Sequence, residues 1–210
     1  MKHVIFSIAL LFAISSVTAQ VIYHRTLNPN IGFGKVSECT NSQYMDFCVN
    51  GPLVQPDNMP VGGYIDNSNT MKDWVNPEDG GGNFAVDNSV FGLGMDNKFY
   101  LVSFTERQTL PEMKWAFQNG PLLVKNYVNV RGTSQSKYPR SGIGFKTDGT
   151  LVVIVSLTPV TFHDFADLFI QENCSNAIYL DGGPYVGCSD KNGAYGTMVS
   201  GATKLQFFNN

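Results

Sequence analysis

Thr161-Phe162-His163-Asp164-Phe165-Ala166-Asp167-Leu168-Phe169, followed by Ala177-Ile178-Tyr179-Leu180-Asp181-Gly182-Gly183, is the stretch on which the fold turns. Phe162, Phe165, Ala166 and Phe169 recur at helical spacing and form one apolar stripe. Thr161 and Asp164 approximate a capping box, with Asp in the place of the usual Glu or Gln. The pattern predicts a helix over 161–172. Residues 177–180 read as a short buried strand that stops at an acid and two glycines. Upstream, Leu151-Val152-Val153-Ile154-Val155 has no polar interruption, the mark of a strand covered on both faces. Strand, helix and strand make a crossover unit whose usual hand is right-handed. Segments 142–146 and 151–157 flank Thr147-Asp148-Gly149-Thr150 and read as a hairpin.

Outside that unit, strands dominate. Val21-Ile22-Tyr23 reads as an edge strand, with a turn at Asn28-Pro29-Asn30. Residues 44–49 form a strand running into the turn Asn50-Gly51-Pro52, residues 55–63 a loop, and Tyr64-Ile65 a returning strand. The polar segment 66–82 ends in Pro77-Glu78-Asp79-Gly80-Gly81-Gly82, which reads as irregular. Phe84-Ala85-Val86, Val90-Phe91, 99–104 and 122–124 are further strand candidates, while 110–117 fits a helical turn or a strand. The tail, 197–208, supplies one or two closing strands. With no internal repeat, linker or low-complexity segment, the expected fold is α+β. It is a single domain with a mixed, sheet-rich core, the one crossover and few helices.

Residues 1–19 have the layout of a secretory signal peptide. Lys2 and His3 precede an apolar run over 4–14, and Val17-Thr18-Ala19 places small residues before Gln20. The expected mature domain is 20–210, exported to a periplasmic or extracellular space, with no membrane span. A formal net charge of −3 supplies no basic footprint for nucleic acid. Cys39, Cys48, Cys174 and Cys188 fall into two local pairs. Three connectivities exist, and the clustering favours Cys39–Cys48 and Cys174–Cys188. The second bridge would close a loop of about 15 residues around Asp181, worth roughly 3 kcal/mol. The spacing is not that of a zinc site, and no cofactor is expected.

No Ser–His–Asp arrangement, P-loop or dinucleotide fingerprint is present. His163, in the first turn of the predicted helix, reads as a surface residue. Polar groups gather instead at strand ends: Asn50-Gly51, Gln118-Asn119-Gly120, Arg140 before Ser141-Gly142, and Asp181 before Gly182-Gly183. Each alone is explained by turn chemistry. Together they offer an arginine for an anion, amides, and a carboxylate beside glycines that admit a ligand to the backbone, which suits a phosphorylated or sugar ligand.

Four runs then carry a resemblance: Gln118-Asn119-Gly120-Pro121-Leu122-Leu123-Val124, Arg140-Ser141-Gly142-Ile143-Gly144, 161–169, and Asn176-Ala177-Ile178-Tyr179-Leu180-Asp181-Gly182-Gly183. In order and spacing they resemble the phosphodiester glycosidase family, in particular its small bacterial exported members. Val49-Asn50-Gly51 with Pro60-Val61-Gly62 fits an earlier family segment. The chain departs from the pattern at Pro184-Tyr185 and at Pro52-Leu53.

The resemblance implies hydrolysis of the bond between a sugar anomeric carbon and a phosphodiester oxygen. The substrate would be a sugar phosphate or glycan of the envelope or extracellular space. Arg140 would grip the phosphate. Asp181 would act at the anomeric centre as base, nucleophile or electrostatic stabiliser. Asn50, Gly51, Gln118, Asn119, Gly120, Gly182 and Gly183 would line the substrate, with Asp148 and Asp164 as candidate second carboxylates. The departures leave a second reading, a catalytically silent sugar-phosphate-binding protein on the same scaffold.

Overall fold

Residues 151–155 are wholly buried. Leu151, Val153 and Val155 enter one apolar cluster while Val152 and Ile154 enter another. The chain is organised around this two-faced strand, as its uninterrupted apolar run predicts. The computed structural model describes residues 20–25, 30–34, 39, 45–57, 59–133, 135–190, 192–197 and 204–208. The predicted leader at 1–19 and the turn at 28–29 lie outside these.

In chain order the strands and helices are β1 (Gln20–Arg25), β2 (Asn30–Gly34), β3 (Met45–Asn50), β4 (Tyr64–Asp66) and β5 (Asn69–Lys72). Two single helical turns follow, α1 (Pro77–Gly80) and α2 (Gly82–Ala85), then β6 (Ser89–Gly94) and β7 (Phe99–Ser103). Next come β8 (Met113–Asn119), β9 (Leu122–Lys125), β10 (Val128–Asn129), β11 (Tyr138–Phe145) and β12 (Leu151–Val160). The chain continues with α3 (Phe162–Gln171), β13 (Asn176–Leu180), β14 (Gly187–Asp190), β15 (Gly193–Gly196) and β16 (Lys204–Phe208).

Three sheets result, ordered β1-β12-β11-β13-β9-β10, β15-β14-β3-β16-β2 and β5-β4-β8-β6-β7. β1 is an edge strand, as predicted. β11 and β12 form the predicted hairpin, with Phe145 opposite Leu151. β12 and β13 both run antiparallel to β11. They are therefore parallel to each other, and α3 is the crossover between them. Phe47, Val49, Phe91, Phe117, Ile143 and Leu205 place all three sheets around one shared core. α3 lays Phe165, Ala166 and Phe169 on the other face of the six-stranded sheet. The chain is thus a single, sheet-rich α+β domain.

The helix begins where its cap predicts: Thr161 Oγ1 accepts the Asp164 N–H at 3.0 Å. Three local expectations are corrected and one alternative is settled. The segment 77–82 is not irregular: Pro77 starts α1 and the Asn76 side chain accepts the Glu78 N–H. Phe84-Ala85 belongs to α2 rather than to a strand, with Phe84 buried. The ambiguous stretch 110–117 resolves as β8. The Cys174–Cys188 bridge does not form. Cys174 packs beneath α3 and Cys188 lies in the shared core, on opposite faces of the six-stranded sheet. Burial pushes each of these thiols up to about 12. Cys39–Cys48 is the disulfide.

Candidate active site

β11 and β13 end side by side. Their last ladder pair is Ser141 with Leu180, so Arg140 and Asp181 sit one position further along neighbouring strands. Ala177 and Tyr179 face α3, and the two-residue period of a strand turns Asp181 to the same side. On β11 the register moves between Tyr138↔Val160 and Arg140↔Ser156, a bulge in β12 opposite the arginine. Both side chains thus reach the α3 side at one end of the sheet. There they line a cavity of about 520 Å³ with Leu53, Asn83, Tyr138 and Phe162, floored by Gly182 and Gly183.

The backbone of Asp181 is fixed from three directions. Its N–H donates to Gly51 O at 2.8 Å. Its carbonyl accepts the Ser141 hydroxyl at 2.6 Å and the Asn50 amide at 3.3 Å. The carboxylate Oδ1 accepts the Gly182 N–H at 2.9 Å. Burial raises the Asp181 carboxyl above its ordinary value, against the lowering effects of that N–H and of Lys204.

Arg140 is 2% exposed. Its Nε donates to Val160 O at 2.9 Å and an Nη to Ser136 O at 3.2 Å. The guanidinium lies 3.5 Å from the centroid of the Phe162 ring, with the Tyr138 and Tyr179 rings at 5.8 and 6.0 Å. Among the described residues no carboxylate pairs with it.

The other sequence candidates stand behind the cavity. Asn119 is fully buried. Its amide donates to Tyr179 O at 2.7 Å and its Oδ1 accepts the Leu53 N–H at 3.2 Å, fixing two walls. Gln118 is equally buried and spends its amide on Gly63, Val75 and Asn88. Asn50 holds the Asp181 carbonyl from below. A Cβ at Gly120 would stand 2.7 Å from Val86 O and 2.8 Å from Asn83 O, so this glycine lets the Asn83 turn close onto the site. Asn50, Gly51, Gln118, Asn119 and Gly120 are not among the residues that line the cavity: Asn50, Gly51, Asn119 and Gly120 stand against residues that do, while Gln118 braces the neighbouring segments at Gly63, Val75 and Asn88. Nor do Asp148 and Asp164 line it: Asp148 caps its own turn through Thr150 N at 2.8 Å, and Asp164 lines a separate small depression with His163.

Sequence reasoning missed Phe162, Tyr138, Tyr179, Asn83 and Lys204. Phe162 was legible only as part of the helix stripe. Tyr179 explains Gly182: a Cβ there would stand 2.3 Å from the Tyr179 hydroxyl. Gly182→Ala is expected to cost at least about tenfold in substrate turnover by displacing that ring against Arg140. Adding Tyr179→Phe removes the hydroxyl and should recover much of the loss. A double-mutant cycle of kcat/KM checks this coupling.

The phosphodiester glycosidase profile matches residues 44–190, and the chain belongs to that family. A relative from Escherichia coli K12, the uncharacterized protein YigE, is 31% identical over 148 residues, covering 68% of this chain and 58% of YigE. The chain thus spans little more than half of that relative. A prophage-derived uncharacterized protein of Bacillus subtilis, YomE, is 43% identical over 53 residues, 22% of this chain and 8% of YomE. Among solved structures, the chain is similar to the catalytic domain of zebrafish N-acetylglucosamine-1-phosphodiester alpha-N-acetylglucosaminidase, auto-inhibited by its pro-peptide. That superposition has a TM-score of 0.59 at 12% identity over 94% of this chain and 85% of the other. A hypothetical protein from Synechocystis gives 0.52 at 11% identity over 91% of this chain and 57% of its own. Both share the fold. Among the described residues no helix is long and apolar enough to cross a membrane.

Proposed function

We propose that the chain is an exported hydrolase that cleaves the bond between a sugar anomeric carbon and a phosphodiester oxygen. The observation that carries this reading is the convergence of a buried cation, with no carboxylate partner among the described residues, and a carboxylate on one cavity: Arg140 and Asp181. Arg140 holds the phosphate charge. Asp181, the one carboxylate among the described lining residues, takes a proton from the attacking water. The new bond joins water oxygen to the anomeric carbon. The carbon–oxygen bond to phosphate breaks, and the phosphomonoester leaves as an anion beside the guanidinium. A phosphate leaves readily, so strong general-acid help is less necessary than for an alkyl glycoside. Export is supported by the Cys39–Cys48 bridge and the predicted leader.

The same single carboxylate favours a second reading, a binding protein without turnover. A synthetic α-linked sugar-1-phosphodiester distinguishes the two. Time-dependent release of free sugar is the expected result. Calorimetric binding without release would replace the hydrolase by the binding protein.

A further inference from the structure

Lys204 is 1% exposed, an uncommon place for an ammonium group. It opens β16, directly opposite Asn50 on β3 and Gly34 on β2. Its Nζ donates to Asn50 Oδ1 at 2.7 Å. The Asn50 amide donates in turn to the Asp181 main-chain carbonyl. Asn50 is thus a carboxamide bridge, with a buried cation on one side and the proposed reacting residue on the other. We propose that Lys204 is a positioning residue of the site, whose charge, relayed and held in place by Asn50, bears on Asp181 and keeps it aimed into the cavity. This inference rests on the reading of Asp181 given above.

Among the described residues, the elements packed against Lys204 present few other charged groups to its ammonium. On β3, Cys48 shares the face of Asn50 and is tied up in the disulfide. Asp46 is four residues from Asn50, roughly 13 Å along an extended strand. On β14 the residue opposite Cys48 is Ser189. Gly34 on β2 has no side chain. Among the described residues, Asp181, from the end of β13, is the charged group that acts on the ammonium. Burial pulls Lys204 down to about 8, and Asp181 opposes that fall. The influence is mutual, since Lys204 favours the ionised carboxylate. In a medium of low polarizability such a charge acts on its neighbour without touching it.

The test is a pair of titrations read by carbon NMR, independent of turnover. With the Asp carboxyl carbons labelled, and Asp181 assigned through Asp181→Asn, the Asp181 carboxyl is expected to hold its proton to higher pH in Lys204→Met than in the parent. Lys204→Arg, which keeps the charge, should restore the parent behaviour. Reciprocally, with the lysine ε-carbons labelled, Lys204 should lose its proton at lower pH in Asp181→Asn than in the parent. The reciprocal arm needs no substitution at Lys204, so it stands even where Lys204→Met fails to fold. If both titrations are unchanged between folded proteins, the proposal is overturned. In the sugar-release assay, Lys204→Met is expected to lower kcat on the acid side roughly tenfold or more, with KM moved less than about twofold. A parent protein that releases no sugar defeats the hydrolase reading, while the titrations still decide the link between Lys204 and Asp181.

Discussion

Asp181→Asn is expected to slow sugar release by about 10³-fold or more and, at neutral pH, to raise the melting temperature. The kinetic part follows from removing the proposed proton acceptor. The stability part follows from the sign of the carboxyl's shift. Burial raises its affinity for a proton in the folded state above that in the unfolded chain. The contribution of this group is therefore full below the unfolded value. It is lost as pH rises through the raised folded value, because the folded protein must then carry a desolvated anion. Asn carries no such charge, and its side-chain oxygen still accepts the Gly182 N–H. Melting curves of both proteins should diverge near pH 7 in favour of the variant, and the gap should close as pH falls and the parent's Asp181 carboxyl is protonated. A variant that melts lower at pH 7 would mean that the attraction of Lys204 exceeds the cost of burial.

The second large effect is expected at Arg140. Arg140→Lys keeps a charge but loses the planar fork that serves Val160 O and Ser136 O while presenting its remaining N–H groups to the cavity. It should lower kcat/KM for a sugar phosphodiester by about 10²- to 10³-fold, an effect of the size produced by removing one well-placed donor to a developing anion. Inhibition by inorganic phosphate should weaken in parallel. An aryl glycoside of the same sugar, which carries no phosphate, should lose little. Equal loss on both substrates would mean that Arg140 shapes the cavity rather than binding phosphate. Arg140→Ala goes further: two carbonyls lose their donor and the Phe162 ring loses its stacking partner. Destabilisation of about 2–4 kcal/mol is expected, measured by denaturant unfolding.

Periodicity made the central unit legible. An unbroken apolar strand, a Thr-capped stripe of aromatics and a strand ending in Asp-Gly-Gly left one way to arrange 142–183. The same sequence could not say which strand-end residues face a cavity and which face the interior. Asn119 and Asp181 both end apolar strands. Yet Asn119 turns inward to tie Tyr179 to Leu53, and Asp181 turns outward beside Arg140. That choice depends on the packing of distant strands, not on local spacing. The cysteines failed for a related reason. Loop length ranks pairings, but Cys174 and Cys188 are kept apart by a whole sheet, which no spacing rule contains. Lys204 carried no signal at all: Lys-Leu-Gln-Phe reads as a half-exposed strand. Only the pairing of β16 with β3 puts that lysine out of water.

The three-way hold on the backbone of Asp181 also governs when the site can come into being. The bond from Asn50 to Asp181 joins residues separated by 131 positions, and the one from Lys204 to Asn50 spans 154. Such closures come late in a folding reaction, after local hairpins and helices have formed. β11, β12 and α3 can assemble from neighbouring segments and still leave the carboxylate unplaced. Regained secondary structure is therefore not regained competence. The Asp181 carboxylate is set only when β3 and β16 have met beside it.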